Sequence, residues 1–299
     1  MKVLLSALLI TLGLPPLFAQ QDFGCICSTD VSYATGPSNS HKLAFPSEML
    51  FPEDDTITLV FQSAESIYLY ISGNGADLPW SGPIASYPGH NPGITYGKDG
   101  DRHLVWEMID TISGVMNIFY TNLEFRMGPL NVSCSNNNCY HPDVFADSSG
   151  VAHIVWEEES TGAGRQIWYR TANENGLLCE RFCLSATAGA CSLPAIEQFR
   201  DTIVVVYHRF DPTLPRKYAI MKRSLVNGVW QPEEVLMDHM LSLNHPSLDF
   251  ILGNEGLSAA WDADFDGNLE AHFVGGNGGG YPTSGASTAP VLATIGSTW

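Results

Sequence analysis

Five prolines, Pro46, Pro92, Pro142, Pro194 and Pro246, open the same pattern of short apolar strands, and they stand 46, 50, 52 and 52 residues apart. The clearest copy is Pro142–Tyr169. A first strand over 142–146 runs into Asp147-Ser-Ser-Gly150, whose residues supply the local hydrogen bonds and the φ > 0 position of a tight turn. A second strand covers 151–156, a Gly-rich turn follows at 161–164, and a third strand covers 166–169. Each copy then continues into a more polar fourth strand, at 78–84, 123–132, 177–184 and 229–236. A strand-built period near fifty marks a β-propeller. The spacing predicts an all-β fold with five recognisable four-stranded blades over 46–299. Pro290–Ile295 reads as the first strand of a partial or truncated sixth, or as a ring-closing strand.

The chain opens on Met1-Lys2, then an apolar run to Phe18 and the small residue Ala19. That is the pattern of a cleaved export signal over 1–20, too short and too Pro-broken for a membrane span. Residues 21–45 hold one or two strands expected to help close the ring. The protein is thus expected to be secreted or at the cell surface, the periplasm included. Lys and Arg number 14 against 32 Asp and Glu, a formal charge of −18. Such a chain has no basic face for phosphates, which excludes nucleic acid as a partner. Seven cysteines in an exported chain point to disulfides rather than metal. Cys139 and Cys191 lie three residues before Pro142 and Pro194, so Cys134–Cys139 and Cys183–Cys191 are expected as equivalent local bridges.

In an antiparallel meander, the loop before strand one and the loop between strands two and three share one end. This upper face gathers His90, His141 and His245 from the entry loops, and Glu107, Glu157, Glu158, His208 and Asp262 from the second loops. The histidines and Glu158 are the candidate ligand-binding residues. Glu107, Glu157 and Asp262 follow their strand-two aromatics directly and are the candidate catalytic carboxylates. Trp106, Trp156 and Trp261 read as packing between blades, and His103 and His153 as hydrogen-bonded core.

The string D-x-x-G-x-x-H-[IL]-V-W followed by I-x-Y, clearest at Asp147–Tyr169, resembles the sialidase-like, BNR-repeat-like propellers of secreted bacterial proteins. The Asp-box itself is not matched, since Trp156 falls six residues after Gly150. Nor can an arginine triad for a sialidase be placed. Five repeats also resemble arabinanase-type glycoside hydrolases, which implies carboxylates around a central funnel. Asp262-Ala-Asp264-Phe-Asp266-Gly267-Asn268-Leu269-Glu270 is similar to the calcium loops of integrin α-chain propellers. That likeness implies a structural calcium held by Asp262, Asp264, Asp266, Asn268 and Glu270. The resulting expectation is an exported propeller that binds a carbohydrate or a surface protein through its upper loops without turnover. The alternative is a glycoside hydrolase using upper-face carboxylates.

Overall fold

The computed structural model describes residues 41–44, 56–72, 80–97, 100–124, 128–162, 164–173, 175–176, 178–185, 189–239, 243–250, 257–264 and 269–274, with the backbone alone from 239 onward. Every regular element among them is a strand. The first blade holds β1 (Leu43–Ala44), β2 (Thr58–Ser63), β3 (Ser66–Ser72) and β4 (Trp80–Pro88). The second holds β5 (His90–Tyr96), β6 (Arg102–Ile109), β7 (Met116–Asn122) and β8 (Leu130–Asn131). The third holds β9 (Cys139–Ala146), β10 (Ala152–Ser160), β11 (Gly164–Ala172) and β12 (Phe182–Cys183). The fourth holds β13 (Ala190–Phe199), β14 (Thr202–Phe210) and β15 (Tyr218–Val226), with its outer strand split into β16 (Val229–Trp230) and β17 (Glu234–His239). The fifth shows β18 (Leu243–Phe250), β19 (Leu257–Asp264) and β20 (Leu269–Val274). Each sheet is an antiparallel meander in chain order. These five successive sheets are the blades of a β-propeller.

Pro92, Pro142, Pro194 and Pro246 do not start their strands, and Pro46 lies outside the described residues. They sit inside them, at one bulge repeated in four blades. The register slips between His90 and Gly93, across His141-Pro142, between Ser192 and Ala195, and between Asn244 and Ser247. Proline has no N–H to give the ladder, so a bulge is where a sheet accepts it. The residue before it is left-handed in three of these: φ is 46° at Asn91, 49° at His141 and 53° at Leu193. Side chains there are costly in that region, so something must hold them.

Blades pack through their faces. Trp106 lies with Val60, Leu69 and Ile94 between the first two blades, stacked on Tyr87 at 5.0 Å. Trp156 lies with Val105, Ile118 and Val144 between the second and third. Tyr207 and Val155 share the third such core. Burying an aromatic of this size contributes several kcal/mol and is the main force between blades. At the lower ends, His103 and His153 bond Tyr120 and Tyr169 hydroxyls at 2.8 and 2.7 Å and face Asp101 and Asp147. Both histidines are hydrogen-bonded core residues, as their strand positions suggest.

The cysteines depart from expectation. Cys134, Cys139, Cys179, Cys183 and Cys191 are all free thiols, so neither Cys134–Cys139 nor Cys183–Cys191 is bridged. The reason is register. Ser133 and Ser185 hold the equivalent positions, each bonding the amide of Ile118 or Ile167, so Cys183 matches Asn131 and not Cys134. The Cys139 thiol turns inward to Asn137 O and Glu158, and burial pushes it up to about 12.

Candidate functional site

The strand-two carboxylates form a repeated latch between blades. Gln62 on β2 accepts the Asn91 amide at 3.0 Å, Glu107 on β6 accepts the His141 amide at 2.7 Å, and Glu157 on β10 accepts the Leu193 amide at 2.7 Å. Each donor is the left-handed residue of the next blade's bulge. The latch therefore holds the strained residue and fixes the neighbouring inner strand at once. Asn91 Nδ2 adds a bond to Glu107 at 2.7 Å. His141 Nδ1 meets Glu157 Oε1 at 2.6 Å, and Arg165 Nη1 meets Glu157 Oε2 at 2.8 Å while lying 4.3 Å over the Tyr140 ring. Glu157 is fully buried and every oxygen is engaged. Burial raises its pKa, but His141, the Leu193 amide and Arg165 outweigh that and hold the carboxyl below its usual range. His141 is pulled down by burial and pushed up more strongly by Glu157, ending raised. Glu107 and Glu157 thus have a structural task, and Glu157 has no oxygen left to offer a substrate.

The inner strands of four blades meet at a different pair. Lys42, just before β1, donates from Nζ to Pro92 O beside β5. Its ammonium is desolvated and drawn down to about 8, against the opposing charges of Asp143 and Glu107, although the residue as a whole is only partly buried. Asp143 on β9 is 1 % exposed. Its Oδ2 accepts the Ile196 amide of β13 at 2.9 Å, and its Oδ1 has no partner. Burial pushes this carboxyl up to about 8, against the Ile196 and Val144 amides and Lys42. It is a carboxylic acid kept protonated near neutral pH with one oxygen free. Enzymes use that state for general acids.

The other candidate residues do not converge. His90 bonds Gln62 at 3.0 Å and reaches Glu65 at 3.1 Å. His208 is buried, bonded to Ser192 at 3.1 Å and stacked on Tyr218. Glu158 is buried under Arg181, whose guanidinium lies 4.4 Å over Trp168. His90 ties the second blade to the first, whereas these contacts of His208 and Glu158 lie within their own blades. The backbone of Asp262 pairs with Asn244, the register position of Glu107 against His90, which places it at the upper end of β19. The side chains of His245, Asp262, Asp264 and Glu270 and the residues Asp266 and Asn268 lie outside the described residues. No group of three or more metal-ligating side chains occurs among the described residues.

Asp143 had a signal in the sequence. The residues after Pro92, Pro142, Pro194 and Pro246 are Gly93, Asp143, Ala195 and Ser247, so three small residues share an inner-strand position with one acid. Lys42 had none, because its partner strands are distant along the chain.

No protein-family model and no curated protein sequence matches the chain. Solved structures do. A Penicillium chrysogenum α-L-arabinanase complexed with arabinobiose is 13% identical over 88% of each chain, with a TM-score of 0.56. The GH93 α-L-arabinofuranosidase of Fusarium graminearum is 10% identical over 87% of each chain, with a TM-score of 0.52. An ulvan lyase of polysaccharide lyase family PL25 is 10% identical over 84% of this chain and 73% of its own, with a TM-score of 0.54. At these identities the likeness concerns the fold, a β-propeller.

Proposed function

We propose that this propeller acts on a polysaccharide outside the cell as a glycoside hydrolase, with Asp143 as its general acid. The observation that carries the reading is Asp143 itself: buried, raised to about 8, and with Oδ1 unpartnered where four inner strands meet. Protonating a glycosidic oxygen requires an acid that still holds its proton at neutral pH. The Lys42 charge opposes the rise of the Asp143 carboxyl and so favours the carboxylate that remains after transfer. Hydrolysis also requires a second carboxylate, about 5–9.5 Å away. Asp262 is the sequence's candidate, since Glu107 and Glu157 are latched between blades. The structural neighbours that act on arabinan-type saccharides and ulvan support a carbohydrate substrate over a protein partner. No helix among the described residues is long and apolar enough to cross a membrane.

The test is turnover of linear arabinan, ulvan and aryl glycosides by the purified chain. Release of reducing ends is expected, reduced about 100-fold or more by Asp143→Asn with no fall in melting temperature. Binding of one of these glycans without release would return the protein to a binding module. Turnover that survives Asp143→Asn would move the acid elsewhere.

Calcium is a separate proposal that rests on the sequence pattern of Asp262–Glu270 alone. A chelator should lower the melting temperature, and Asp264→Ala should abolish that sensitivity. An unchanged melting curve of the native chain in chelator would remove the metal.

A further inference from the structure

At the upper rim of the fourth blade, between the β14–β15 loop and β17, lies a cavity of about 340 Å3 lined by Arg209, Leu214, Pro215, Arg216 and Asp238. Arg209 is 9 % exposed, and its Nε is buried without a hydrogen-bond partner. Two nearby acids are committed elsewhere. Asp238 pairs with Arg216 at 2.6 Å. Asp211 is turned to the Thr213 amide at 2.9 Å and its hydroxyl at 2.6 Å, so it reaches Arg209 only through space. The equivalent junction one blade earlier is instructive. Glu158 stands opposite Cys139 as Arg209 stands opposite Cys191, and Glu158 has its own counter-ion in Arg181. The fourth blade thus carries a cation at this position, with no contact ion pair to it among the described residues.

A buried guanidinium Nε without an acceptor is costly, because that donor has left water and gained nothing. Arginine in such a place is a planar fork of donors that fits two oxygens of one oxyanion. The cavity supplies matching surroundings: an apolar wall of Leu214 and Pro215 for a ring face, and the Asp238 carboxylate as a hydroxyl acceptor. We infer that this cavity is a subsite for a saccharide bearing a carboxylate or sulfate, with Arg209 gripping the anionic group. The inference deepens the polysaccharide reading above by naming an acidic sugar as the class that binds, and it rests on that reading for the sugar but not for the anion.

Calorimetric titration with sodium glucuronate, glucose 6-sulfate, glucose and sodium sulfate tests it in four arms. The native chain should bind at least one of the two acidic sugars at least tenfold more tightly than glucose, and which one is tighter distinguishes carboxylate from sulfate. Arg209→Gln should lose that preference at least tenfold. Arg209→Lys should recover only part of it, since the charge returns without the fork. Arg216→Gln, at an exposed position, should keep the fold and weaken binding less. The two readings fail separately: acidic sugars bound by a native chain that turns over no polymer sink the hydrolase and leave the subsite. Sulfate bound as tightly as the acidic sugars would reduce the site to an inorganic anion site and overturn the saccharide inference. Acidic sugars bound no better than glucose, or equally by native chain and a folded Arg209→Gln, would also overturn it.

Discussion

Glu157→Ala is expected to destabilise the protein by about 3–5 kcal/mol, the cost of removing one partner from a buried ion pair. Three groups lose their acceptor together: the Leu193 amide, His141 Nδ1 and Arg165 Nη1. The amide belongs to a left-handed leucine in the next blade, so the strain there is no longer offset. For a chain this long the melting temperature should fall by roughly 10 °C. Glu157→Gln keeps an acceptor for the amide and should lose less. Gln62 shows that a neutral amide can serve the same latch. There is also a pH signature. His141 has its folded value raised, so its share of stability is complete below the ordinary histidine range and is lost as pH rises through the raised value. The alanine variant should lack that slope. An unfolding midpoint within the error of the native one would show that the latch contributes no net stability.

The second large effect concerns Lys42 and Asp143. The folded value of Asp143 is raised to about 8, so between the ordinary aspartate range near 4 and about 8 the folded state holds a proton that the unfolded state has lost. Stability falls with rising pH across that window, by up to about 1.4 kcal/mol per unit. Lys42 is lowered to about 8, so from there to its ordinary range near 10.5 the unfolded state binds more protons and stability rises with pH. Together the pair should impress a trough near pH 8 on the stability profile. Asp143→Asn should remove the acid limb and Lys42→Met the alkaline one, each read from denaturant unfolding at a series of pH values. A difference curve that is flat from 4 to 8 for Asp143→Asn would mean the carboxyl is already ionised in the folded state, and would remove its case as a general acid.

The repeat, the strand order and the packing role of the tryptophans were legible because they are local. A period near fifty, alternation along six to nine residues, and turn residues at fixed offsets need only neighbours in sequence. The upper-face assignment was legible too, because antiparallel pairing brings Glu107 opposite His90 whatever the rest of the fold does. What the side chains do there was not legible. Glu107 and Glu157 recur in sequence for the reason that catalytic residues are singled out, yet in the structure each accepts a strained amide at its blade junction, as Gln62 does one blade earlier. The expected bridges failed on a three-residue offset that only the Ser133–Ser185 equivalence reveals. Lys42, Asp143 and the uncompensated Arg209 depend on which blade stands beside which. The desolvation of Lys42 and Asp143 arises only when strands about a hundred residues apart converge, and burial of a charge is a property of the assembled fold.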